Sequence, residues 1–79
     1  MPKLSDEQQA LSEVLKDARA QAKLTQRELA SRLERGQSIV GLIELGERQV
    51  SVLEFIQIAR ALKIEPTKLL AKVVQATGM

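Results

Sequence analysis

The residue types that most often perform chemistry are scarce in this chain. It contains no histidine and no cysteine. That removes the commonest general base, the commonest zinc ligand, thiolate nucleophiles and disulfides. A carboxylate metal site stays open in principle, but the ten acidic residues are scattered and show no calcium-loop spacing. Large enzyme pockets are also hard to build in so small a chain. The chain is therefore expected not to be an enzyme and to need no cofactor. What it offers instead are groups suited to recognition. The stretch ERGQSIVGLIELGER, residues 34–48, is polar at both ends and apolar in the middle, where Ile39, Val40, Leu42, Ile43 and Leu45 surround Gly41. A helix with one buried face should carry a polar stripe opposite its apolar one. This helix nearly lacks that stripe.

Composition narrows the partner. Twelve basic and ten acidic residues give a net charge of +2, which permits nucleic-acid binding without demanding it. Phe55 is the only aromatic, so base stacking, the usual route to single strands and RNA loops, is nearly closed. Duplex DNA is the better candidate. The N-terminal MPKLSDEQQ has no apolar run resembling a signal peptide. Nothing approaches the roughly 20 apolar residues of a membrane span, so the expectation is a cytoplasmic protein that does not engage a membrane.

The elements that must position these residues read as five helices with no competing strand pattern. Ser5 is a good N-cap, with Asp6 and Glu7 in the following turn. The first helix is expected over about Asp6–Ala22, with Leu11, Val14, Leu15, Ala18 and Ala22 at helical spacing; it ends without a glycine at Lys23–Leu24. Thr25-Gln26-Arg27-Glu28 is a capping box opening a short second helix with Leu29, Ala30 and Leu33 on its apolar face. After Glu34-Arg35-Gly36, a third helix runs over about Gln37–Leu45, capped at its C-terminus by Gly46. Ser51-Val52-Leu53-Glu54 is a second capping box. It opens a fourth helix whose apolar side is expected to hold Leu53, Ile56, Ile58, Ala59 and Leu62. Pro66 suits the first turn of a fifth, which carries Leu69, Leu70, Val73 and Val74. The whole chain, 1–79, is expected to be one domain with its core at about 11–72.

Two short helices joined by a glycine-containing turn form a helix-turn-helix unit. In such units the second helix can enter the DNA major groove while the first crosses the backbone. Any small helical bundle contains helix pairs, so physics alone leaves this open. The residues go further. Leu24-Thr25-Gln26-x-Glu28-Leu29-Ala30, then Gln37-Ser38, then Ile43-Glu44-x-Gly46-Glu47-Arg48, then Leu53-x-x-Ile56-x-x-Ala59-x-Ala61-Leu62 resemble the Xre-type, phage-repressor-like helix-turn-helix family. The likeness spans about residues 11–72. It implies an all-α, five-helix, lambda-repressor-like domain with its helix-turn-helix at helices 2 and 3. It also implies a regulator, most often a repressor, that binds double-stranded operator DNA as a homodimer.

Matched to the family pattern, Gln26 stands at the N-terminus of the second helix, where the resemblance implies a phosphate contact and free amides favour one. Thr25 and Arg27 flank it. Gln37 and Ser38 match the start of the recognition helix. Glutamine reads adenine bidentately and serine bonds to either base edge, although Ser38 or Gly36 could instead cap the third helix. Arg19 and Glu44 match a pair that forms a partly buried, structural salt bridge between the first and third helices.

The departures bear on the site. Where the family has polar or basic residues, this chain has Gly41, Leu42 and Leu45. With Ser38 these share one helical face, the face that should meet the groove, while Val40 and Ile43 on the other side should enter the core. The leucines are open to three readings: contact with thymine methyls, a protein interface with weakened DNA binding, or, for Leu45, packing against the following loop. Gly41 offers room for a close backbone approach. Glu34 replaces a family glycine, so either the turn is reshaped or Glu34 adopts a positive φ. A carboxylate is unhelpful beside phosphate, and Arg27 and Arg35 are placed to offset it. Arg48 is a candidate phosphate contact. The apolar band of Leu69, Leu70, Val73 and Val74 is the expected dimerisation surface, one side closing the core while the other meets a second copy, with half-sites about 34–36 Å apart; the alternative is that the whole band is core. The competing reading is a helical interaction module, such as an antitoxin-like protein, with a protein partner in place of DNA.

Overall fold

Each helix begins where the sequence supplies an acceptor or a preset backbone, and the order of those starts builds the whole fold. The computed structural model describes residues 5–79, so Met1–Leu4 lie outside it. Among the described residues there are five α-helices and no strand: α1 Asp6–Gln21, α2 Gln26–Arg32, α3 Gln37–Glu44, α4 Val52–Ala61 and α5 Pro66–Thr77. Ser5 Oγ accepts from the Gln8 amide at 3.2 Å. Thr25–Glu28 and Ser51–Glu54 are complete, reciprocal capping boxes. Pro66 stands in the first turn of α5, where its missing N–H costs nothing.

Four of the helices end alike. At α1 the Leu24 amide reaches back to the Arg19 carbonyl and the Lys23 amide to Ala20; at α2, Arg35 reaches Ala30 and Glu34 reaches Ser31. The α3 and α4 ends repeat the pattern through Gly46–Glu47 and Lys63–Ile64. This double closure satisfies the last carbonyls but requires a left-handed residue just past the helix. Gly46 fills that place at φ 77° without a Cβ, whereas Lys23, Glu34 and Lys63 do so at 60°, 55° and 59°. The turn at Glu34 is therefore not reshaped: Glu34 takes the positive φ itself.

The core is formed by Leu15, Ala18, Leu29, Ala30, Val40, Ile43, Ile58, Ala59, Leu62 and Leu69. α1 packs on α5 and α3, α2 on α3 and α4, and α4 on α5. Arg32 fastens the C-terminal end of α2 to that of α4 by donating to the Ala61 carbonyl at 2.8 Å. Ser12 is also fully buried, a polar position that the apolar spacing of α1 does not reveal.

Several expectations from periodicity are corrected. Ala22 is exposed at the end of α1. Leu53 is 72% exposed and Ile56 37%, because α4 and its C-cap face the core through Ile58, Ala59 and Leu62, with Phe55 and Ala61 packed at the edge. Leu69 is 0% exposed; it closes the core and has no surface to offer a second copy. Leu70 and Val74, about 100–140° round the helix from Leu69, are the exposed residues of that band.

Candidate nucleic-acid interface

α3 is apolar on two sides for two different reasons. Val40 and Ile43 are buried, and Ile39 packs against the core from its edge. Gln37, Ser38, Leu42 and Leu45 face outward, with Leu42 41% and Leu45 63% exposed. Leu45 therefore does not tuck against the following loop. The outward face carries two polar side chains, two leucines and, at Gly41, an unoccupied Cβ position. A Cβ at Gly41 would meet only Gln26 Oε1, at 3.6 Å, an ordinary contact. Packing within the chain thus does not demand glycine here, although glycine lowers helix propensity by about 1 kcal/mol relative to alanine. Gly36 rather than Ser38 is the N-cap of α3, and no side chain caps its amides.

One carboxylate fixes the far end of this helix. Glu44, in the last turn of α3, accepts from Arg19 Nε at 2.6 Å and from Arg19 Nη2 at 3.0 Å, the two-pronged geometry that suits a guanidinium. Arg19 Nη1 also donates to the Leu24 carbonyl at 2.6 Å. Arg19 thereby ties α1, the α1–α2 connection and α3 together. The pair is nearly closed to water, with side-chain exposures of 14% for Arg19 and 4% for Glu44. The hydrogen bond to Glu44 holds the guanidinium pKa above its ordinary value, against the opposing effect of burial. Glu44 Oε1 takes a further bond from Gln26 Nε2 at 3.0 Å. The Gln26 amide is thus held at the α2–α3 junction rather than projecting freely into solvent.

The remaining sequence candidates fall into two groups. Thr25, Arg27 and Gln37 lie beside the outward face. Thr25 Oγ1 accepts from the Glu28 amide at 3.0 Å, and Arg27 Nε makes a long 3.5 Å contact with Gln37 Oε1. Backbone and side-chain hydrogen bonds from Thr25 hold the Glu28 carboxyl below the usual glutamate range. Arg35 and Arg48 flank α3 at its two ends. Both pair with Glu54, at 3.1 Å and 2.9 Å, so Arg35 is drawn to Glu54 rather than to Glu34. The Arg48 guanidinium and the Ser51 amide depress the Glu54 carboxyl pKa. The sequence marks Glu54 only as the third residue of a capping box; its role as the shared partner of two arginines from separate loops has no local signature.

A second surface lies away from α3. An apolar groove of about 370 Å³ runs between α4 and α5, lined by residues including Leu11, Val52, Phe55, Ile56, Leu70 and Val73. Phe55, the lone aromatic, forms part of its wall. Among the described residues, no cluster of acidic side chains could hold a metal ion, and no helix is long and apolar enough to cross a membrane.

The arrangement matches known proteins. A helix-turn-helix family model matches residues 15–69, most of the chain. No curated protein matches it. Among solved structures, an XRE-family-like protein from Pseudomonas syringae is 42% identical, covering 90% of this chain and 87% of that one, with a TM-score of 0.81. The restriction-modification controller protein C.AhdI from Aeromonas hydrophila is 32% identical over 82% of this chain and 98% of its own, with a TM-score of 0.77. The controller protein C.Esp1396I, as a tetramer on its 35-base-pair operator, shares the fold at a TM-score of 0.86 and 18% identity, covering 96% of this chain and 100% of its own. The chain belongs to the XRE family of helix-turn-helix proteins.

Proposed function

We propose that this protein is a sequence-specific, double-stranded-DNA-binding transcriptional regulator that inserts α3 into the major groove. One observation carries the reading: Gln37, Ser38, Gly41, Leu42 and Leu45 form the outward face of a helix whose opposite face, Val40 and Ile43, is anchored in the core. A major groove admits such a helix. Gln37 and Ser38 would meet base edges through hydrogen bonds, and Leu42 and Leu45 would meet thymine methyls, an apolar form of base reading. Thr25, Gln26, Arg27, Arg35 and Arg48 border this face and supply the contacts to phosphate that set register without reading sequence. For Gln26 this means that the second N–H of its Glu44-bound amide, or the amide released from Glu44, reaches the backbone. No cofactor and no catalytic step enter this function. A DNA-binding regulator of this kind acts in the cytoplasm by occupying its site, blocking or recruiting the polymerase.

A single domain reaches few bases, and pairing two copies doubles the contacts. The apolar groove between α4 and α5, lined in part by Leu70 and Val73, is the proposed homodimer face, with the exposed Val74 on the same helix. It replaces Leu69 with Val52, Ile56 and Phe55 in the set drawn from sequence. The C.Esp1396I controller protein assembles as a tetramer on its operator, a precedent for recognition by more than one copy.

In vitro selection of random duplex DNA at a stated salt concentration tests the proposal. Enrichment of an inverted repeat with about one-turn spacing, with thymines opposite Leu42 and Leu45, is expected. A folded protein that enriches no sequence would redirect the exposed leucines to a protein interface.

A further inference from the structure

The turn that enters α3 and the loop that leaves it are held by the same side chain. Glu54 Oε2 accepts from Arg35 Nη1 at 3.1 Å and pairs with Arg48 Nη2 at 2.9 Å. Its Oε1 accepts from Arg48 Nη1 and from the Ser51 amide, each at 3.1 Å. Arg35 directly precedes Gly36, the N-cap of α3, and Arg48 lies just beyond the Gly46 that closes it. A capping box needs none of this: Glu28 makes the same reciprocal bonds with Thr25 and joins no ion pair among the described residues. The two arginines are an addition to the cap. Their side chains are 37% and 31% exposed, while the carboxylate is 16% exposed. Each arginine is therefore tied to Glu54 while its side chain stays partly exposed.

We infer that Glu54 is a specificity-determining positioning residue: by clamping Arg35 and Arg48 at the two flanks of α3, it restricts how they meet phosphate and so trims sequence-independent binding. This rests on the DNA-binding reading above. Two guanidiniums and one carboxylate leave the cluster with one net positive charge instead of two. Freed arginines on flexible stems would follow any backbone, and each added phosphate contact steepens the dependence of log affinity on log salt by about 0.9. Losing the clamp should raise affinity for all duplexes and raise it least, in relative terms, for the site whose backbone already fits.

The test compares wild type, Glu54→Gln, the double variant Glu54→Gln/Arg48→Gln, and Glu47→Gln as a control. Glutamine at 54 can still accept from the Ser51 amide. Glu47 is exposed, next to Arg48, and in no ion pair among the described residues, so it carries the same charge change without the clamp. Binding is measured to a mixed-sequence duplex of about 20 base pairs, roughly two helical turns, and to a selected sequence, across a salt series, with folding followed by circular dichroism. For Glu54→Gln the expected result is a slope steeper by about 0.9, so that its mixed-sequence affinity relative to wild type rises on the order of eightfold as salt falls by one decade, and a lower selected-to-mixed affinity ratio. The double variant should return the slope to the wild-type value. Slope and ratio in Glu54→Gln that match those of Glu47→Gln would overturn the inference while leaving DNA binding intact. A wild type that binds no duplex even at low salt would overturn the DNA reading, and this inference with it.

Discussion

Replacing Glu44 with alanine should cost about 3 kcal/mol of stability. Three hydrogen bonds converge on this carboxylate, two from Arg19 and one from Gln26. Hydrogen bonds to charged groups contribute about 1.5–3 kcal/mol each, but they are not additive. The larger cost is a guanidinium left without its counterion. Breaking a buried pair by removing one partner costs roughly 3–5 kcal/mol. Arg19 keeps its bond to the Leu24 carbonyl and retains 14% exposure, which places this case at the low end. A domain of 79 residues has a total stability on the order of 4–12 kcal/mol, at about 0.05–0.15 per residue. The loss would lower the melting temperature by about 12–24 °C, at roughly 4–8 °C per kcal/mol for a domain of this size. Urea denaturation followed by circular dichroism measures it. The decisive comparison is the double variant Arg19→Met/Glu44→Leu, which removes the pair without stranding a charge and should lie within about 1–2 kcal/mol of wild type. A Glu44→Ala loss below about 1 kcal/mol, or a double variant less stable than the single, would refute the stranded-charge argument.

Glu34→Gly should stabilise the fold by about 0.5–1 kcal/mol. The left-handed penalty of about 1–2 kcal/mol at φ 55° is relieved, less what glycine adds to unfolded-chain freedom; an unchanged or lower urea midpoint would contradict it. Leu69→Ala should cost about 2–5 kcal/mol by opening a cavity at a fully buried site. Leu70→Ala should leave folding within about 0.5 kcal/mol yet weaken self-association in sedimentation, and equal effects on both properties would show the band is not divided in this way. Acid should destabilise the protein. Glu54 and Glu28 have depressed folded pKa values, so their stabilisation is present above the ordinary glutamate value of about 4.5 and is lost as pH falls through the folded values. A urea midpoint flat across that window would be the refuting observation.

How far the sequence could be read depends on whether each signal is local. The capping boxes at Thr25 and Ser51 and the proline at 66 act within a single turn, so they locate the helix starts of the structure directly. The ends are harder. Gly46 announces a left-handed cap, but Lys23, Glu34 and Lys63 take the same conformation because the closure around them compensates for their Cβ, and nothing in their residue types says so. Apolar spacing identifies which residues are eligible for burial, not which neighbour will cover them. That is why Leu53 and Ile56 look like core and lie at the surface, and why Leu69 and Leu70 part company. Ion pairs between distant segments are the least legible. Arg19–Glu44 was accessible through family resemblance, whereas the convergence of Arg35 and Arg48 on Glu54 requires α2, α3 and α4 to be already assembled.

These long-range ties matter because α3 cannot hold itself together. It has eight residues and no side-chain cap at its start, and it contains a glycine. Isolated helices shorter than about 12–15 residues are marginal in water, and Gly41 lowers the propensity further. Its order comes from outside: Val40 and Ile43 anchor one face, Arg19 and Gln26 grip Glu44 in its last turn, and Glu54 secures the segments on either side. The outward face is then left free of structural duty. Leu42 and Leu45 can be exposed there, and Gly41 can remain a glycine, because none of the three holds the helix in place. Under the proposed DNA-binding reading, stability and recognition fall to different residues of the same short helix. If α3 reads DNA as proposed, substitutions at Gln37, Ser38, Leu42 and Leu45 should retune binding without unfolding the protein.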